Sequence, residues 1–128
     1  MKLARSIALT TGAAALAAPI ALLTSSPASA DTERHGSCRG GVYEFSVDRE
    51  GSRYETSVDL DGVTPGTTWR VAIRHNGERV ALRRIVADHE GDVELERSRA
   101  NRAGKDAWSF KARQIGTGQG CAGRITVA

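Results

Sequence analysis

The chain has 128 residues, with 18 Lys+Arg against 15 Asp+Glu and a formal net charge of +3. That length fits one compact domain rather than several. Interleaved charges of near-equal number exclude the concentrated basic character with which phosphate backbones are bound.

Lys2 and Arg5 precede an apolar run from Ile7 to Leu23, and a polar stretch then ends in Ala28-Ser29-Ala30. A basic start, an apolar core and an A-x-A site predict a secretory signal peptide over residues 1–30, cut after Ala30. Thr10, Thr11, Gly12 and Pro19 interrupt the run, which argues against an uncleaved membrane anchor. Position 31 is Asp rather than Cys, so lipid attachment to a new N-terminal cysteine is not expected. The expectation is a secreted, extracellular chain with no membrane association after cleavage. Lys2 and Arg5 leave with the peptide, so the remaining 98 residues carry 16 basic and 15 acidic groups. Nucleic acid is therefore not an expected partner.

Cys38 and Cys121 are the two cysteines of the chain. Export to an oxidising compartment and the single possible pairing predict a disulfide between them. C-x-x-C spacing and a nearby histidine pair, which would argue for redox or metal chemistry, are both missing. Closing so long a loop is worth roughly 4.5 kcal/mol by the chain-entropy relation. That is a large share of a stability of about 5 to 10 kcal/mol for a small domain.

Residues 31–37, "DTERHGS", are polar and aperiodic and read as a flexible N-terminal tail. From there the pattern alternates with period two, as half-buried strands do. In "VYEFSVD", Tyr43, Phe45 and Val47 share one face, and in "RYETSVDL" Tyr54, Thr56, Val58 and Leu60 do. "TTWRVAIRH" sets Trp69, Val71 and Ile73 against Arg70, Ala72 and Arg74, and Asn76-Gly77 then signals a tight hairpin. In "ERVALRRIVADHE" the phase of Val80 and Leu82 conflicts with that of Ile85 and Ala87, which predicts a bulge or sheet crossing near Arg83-Arg84. "DVELER" turns Val93 and Leu95 inward, "AWSFKARQI" does the same with Trp108, Phe110 and Ala112, and the last strand with Cys121, Ile125 and Val127.

Seven short strands joined by Gly, Asn, Asp and Pro turns predict an all-β, antiparallel immunoglobulin or fibronectin-III-like sandwich over residues 38–128. Each cysteine falls at the start of its predicted strand, the first and the seventh, so the bridge is expected to tie together two strands of the same sense. Cys38, "WRVAIRHNG", Gly91 ahead of a strand, "GKDAWSFKA" and the terminal "GQGCAGRITV" resemble small secreted immunoglobulin-like proteins of high-GC Gram-positive bacteria. The resemblance implies a fold and an extracellular location, and brings no activity with it.

No catalytic constellation stands out, and neither cofactor nor metal is expected. His35 lies in the tail, and His75 and His89 lie next to turns, where solvated residues belong. "DLDG" at Asp59–Gly62 and "DHEGD" at Asp88–Asp92 gather oxygen ligands without the spacing of a calcium loop. The six aromatics beyond residue 30 all fall in phase with inward positions, which leaves no platform for a sugar. The remaining candidate is a basic loop, residues 97–105, presenting Arg97, Arg99, Arg102 and Lys105. It could meet a protein or an anionic cell-surface polymer. The expected function is non-enzymatic extracellular recognition, with a secreted protease inhibitor presenting that loop as the alternative.

Overall fold

The computed structural model describes residues 32–101 and 104–127, so the predicted signal peptide, Arg102 and Ala103 lie outside the described residues. Eight strands are present rather than seven: β1 (Glu33–Cys38), β2 (Gly41–Glu50), β3 (Arg53–Asp61), β4 (Thr68–His75), β5 (Glu78–Val86), β6 (Val93–Ala100), β7 (Asp106–Gln114) and β8 (Gly120–Val127). They form two four-stranded antiparallel sheets, ordered β1-β2-β3-β6 and β5-β4-β7-β8.

The additional strand is the expected tail. Glu33 to Cys38 pair along β2 through a two-residue turn in which Arg39 and Gly40 both have positive φ, 48° and 84°. β1 is an edge strand whose residues before Cys38 are largely exposed, so it carries no hydrophobic alternation to announce it. Its order comes from backbone pairing and from the Cys38–Cys121 disulfide, which spans 5.2 Å between Cα atoms. Cys38 therefore ends the first strand instead of starting it, and the bridge links the two sheets by joining the end of β1 to the start of β8.

Between the sheets lies one core. Phe45, Val47, Tyr54, Val58, Leu60, Val93 and Leu95 from the first sheet meet Trp69, Val71, Ile73, Trp108, Phe110, Ala112 and Ile125 from the second. Each large apolar side chain buried here contributes on the order of 1.5–3 kcal/mol relative to exposure. Thr56 holds an inward position because its hydroxyl donates to the Ser46 carbonyl at 3.0 Å. Trp69 keeps its indole N–H satisfied by donating to the Thr67 hydroxyl at 2.9 Å.

The β4–β5 hairpin forms as predicted, with Asn76 and Gly77 at φ 50° and 82°. The irregularity in β5 lies elsewhere than expected. Ile73 faces Ala81 while Arg74 faces Arg79, so Val80 is the extra residue and the bulge sits at the start of β5, not near Arg83-Arg84. Beyond it Ala81, Ile85 and Ala87 share the inner phase, and Leu82 is turned out to solvent. Where β5 crosses to β6, Gly91 has φ 79°, and a Cβ there would collide with the Val63 carbonyl oxygen. Only glycine lets these two segments approach, and the Val63 N–H donates to the Gly91 carbonyl at 3.2 Å.

Candidate functional site

The same alternation that sends Trp69, Val71 and Ile73 into the core sends Arg70 and Arg74 out. In β7 the outward set contains Lys111 and Arg113, in β8 Arg124, and in β5 Arg79 and Arg84. Pairing aligns them in rows. Arg84 faces Arg70, which faces Arg113, and Arg79 faces Arg74, which faces Ser109 and then Arg124. Between these rows Ala72 faces Lys111, which faces Ala122. Seven cations thus share the outer face of the second sheet, and its outward positions hold no carboxylate among the described residues. None of the seven takes part in an ion pair among the described residues.

Small residues make this face concave. Ala72, Ser109, Ala122 and Gly123 floor a depression of about 540 Å³ rimmed by Arg74, Lys111 and Arg124. A second of about 250 Å³ lies among Arg70, Arg84, Arg113 and Ile115. Like charges directly opposite one another on a sheet are destabilising, by roughly a few tenths of a kcal/mol per pair. Folding stability does not explain their accumulation here, whereas an anionic ligand would remove the repulsion.

The outer face of the first sheet has the opposite sign. Glu44 faces Asp59, which faces Glu94; Asp48 faces Glu55; and Glu33 and Glu96 flank Ser46 and Ser57. Asp59 is half-buried, and its carboxyl is raised above the usual carboxylate range by desolvation first, with the charge of Glu44 adding.

The expected basic loop begins inside a strand, since residues 97–100 belong to β6. Arg97 and Arg99 stand in β6 opposite Thr56 and Tyr54. Arg99 donates to Glu78 Oε2 at 2.7 Å. Lys105 is exposed, and Arg102 lies outside the described residues. The two acidic turns come together: the Asp92 carboxyl is raised chiefly by a hydrogen bond with Asp61. Asp88 caps its own turn, accepting the N–H groups of Glu90 and Asp92 at 2.9 Å each, which holds its carboxyl below the ordinary value.

His75 contradicts its expected place. It is 2% exposed, its Nε2 lies 2.7 Å from Asp106 Oδ1, and its ring stacks on Trp108 at 4.0 Å. Asp106, itself 1% exposed, also accepts the Tyr54 hydroxyl at 2.9 Å. Burial raises the Tyr54 phenol, and the hydrogen bond to Asp106 adds to that. The signal was available in the sequence: His75 continues the series Trp69, Val71, Ile73, and Asp106 begins the series Trp108, Phe110, Ala112. Sealed from solvent, this cluster can hold the β3, β4 and β7 ends together but cannot receive a substrate.

Comparison with known proteins leaves the geometry to speak alone: no protein-family model, curated protein or solved structure matches the chain.

Proposed function

We propose that this protein is a secreted, non-enzymatic recognition domain that binds an anionic polymer of the cell exterior through the outer face of β5-β4-β7-β8. The observation that carries the reading is seven cations on one concave face that, among the described residues, form no ion pair and have no carboxylate among them. Secretion is supported by the N-terminal pattern of residues 1–30 and fits the disulfide.

An immunoglobulin or fibronectin-III-like assignment of the sandwich belongs to the same reading. The order β5-β4-β7-β8 corresponds to C′-C-F-G of variable-type domains, and β3 beside β6 corresponds to B beside E. Trp69 in β4 then takes the place of the buried tryptophan on strand C. The β1–β8 disulfide and the added edge strand depart from that pattern. The protease-inhibitor alternative has less support, because Arg97 and Arg99 are paired in β6 and do not extend from a loop.

The expectation against nucleic acid rested on interleaved signs, and folding separates those signs by face, so nucleic acid enters the test. The purified protein is titrated with inorganic polyphosphate, dextran sulfate and a single-stranded oligonucleotide. Binding to polyphosphate or dextran sulfate at about 50 mM salt is expected, weakening steeply as salt rises. The Arg70→Gln/Arg113→Gln variant is expected to lose about tenfold in affinity. Failure to bind either phosphate or sulfate polymer overturns the reading, and tighter binding of the oligonucleotide replaces the external polymer with nucleic acid.

A further inference from the structure

The two outer faces are complementary in sign, and we propose that the chain associates with further copies of itself head to tail, the basic face of one copy on the acidic face of the next. The proposal does not rest on the polymer reading, since it needs both faces where polymer binding needs one. On the acidic side Glu33, Glu44, Asp48, Glu55, Glu94 and Glu96 are all exposed. In the rows that join Glu44 to Asp59 and Glu94, and Asp48 to Glu55, the outward positions of β2, β3 and β6 carry no cation.

Geometry and sign select the mode. Each face is four strands wide and about eight residues long, or about 19 Å by 27 Å at ordinary strand spacings. Stacking would bury on the order of 1,000 Å² in total, at the low end for specific association. A symmetric pair, in which the same face meets itself, would set guanidinium against guanidinium or carboxylate against carboxylate. The contact must therefore be heterologous, and because a pair still presents one free basic face and one free acidic face, it does not stop at two. Its strength rests on charge more than on apolar burial, so it is weak at physiological salt, where the Debye length is about 8 Å, and stronger at low salt.

Lys111 provides a direct readout. Lys2, Lys105 and Lys111 are the lysines of the chain, and Lys111 is central to the basic face. Within one molecule it is separated from Glu44 and Glu94 by two sheets about 10 Å apart. A zero-length carbodiimide bond from Lys111 to either glutamate can therefore form only between copies. Light scattering of the purified protein at about 10 mM salt is expected to show a mass that rises with concentration past the dimer and returns to the monomer at about 500 mM. Cross-linking with mass spectrometry is expected to find Lys111 joined to Glu44 or Glu94. The variants Arg70→Gln/Arg74→Gln/Arg113→Gln and Glu44→Gln/Asp59→Asn/Glu94→Gln should each be monomeric alone and form only a one-to-one pair when mixed. A monomer at every salt and concentration, a mass that stops at the dimer in the unmodified protein, or cross-links of Lys111 confined to other carboxylates would overturn the proposal. The acidic-face variant keeps its polymer-binding face, so loss of association with polymer binding intact separates the two readings.

Discussion

Asp106 accepts the Tyr54 hydroxyl on one carboxylate oxygen and lies within hydrogen-bonding distance of His75 on the other, and all three groups are almost wholly buried. A buried polar group costs little when every partner is present and several kcal/mol when one is removed. Asp106→Ala would strand both neighbours at once and leave a cavity beside Trp108. Its unfolding free energy is expected to fall by about 3 to 5 kcal/mol in urea denaturation, most of the stability of a domain this small. A loss under about 1 kcal/mol would mean that the three groups are not held together in solution. Turn chemistry made His75 look solvated, because it directly precedes Asn76-Gly77; strand phase pointed the other way, and phase prevailed.

Among the strands, alternation was legible wherever a face is buried and illegible where it is not. β2, β3, β4, β6, β7 and β8 carry the predicted inward residues. β1 is not legible in the sequence because an edge strand with exposed side chains has no apolar period to read. The β5 bulge was displaced because an unpaired residue can be located only against its partner strand. Crowding on the acidic face perturbs one of its carboxyls. Asp59 has its folded-state pKa raised by desolvation and by Glu44, so its contribution to stability is present while it is protonated and lost as pH rises through that raised value. Asp59→Asn is therefore expected to be more stable than the unmodified protein at pH 7, by less than about 1 kcal/mol after solvent screening. The advantage should shrink as pH falls toward 4, which thermal melts across that range would measure. An advantage independent of pH would remove the electrostatic account.

Across the molecule, the disulfide joins the first sheet to the second over a sequence separation of 83 residues. Cys121→Ser is expected to lower stability by about 2 to 4.5 kcal/mol, with the reduced unmodified protein shifted by a similar amount and the reduced variant by no more. A variant as stable as the oxidised protein would show that the core alone carries the fold. The larger consequence of assembly is electrical. A chain whose charges nearly balance folds into a body with one cationic and one anionic face, and both the polymer reading and the head-to-tail association follow from that separation.

The sequence by itself determined which residues point inward, where most turns fall and which sulfurs can join, because the pleat of a strand and the φ of a turn are local properties of the backbone. It also carried, unread, the inward phase of His75 and Asp106. Only the tertiary structure decided that β4 lies between β5 and β7, and that β3 lies between β2 and β6. β7 is distant in the chain from β4, and β6 from β3, so those two pairings are long-range while β2–β3 and β4–β5 are local hairpins, and the full rows of cations and carboxylates correspond to no stretch of sequence.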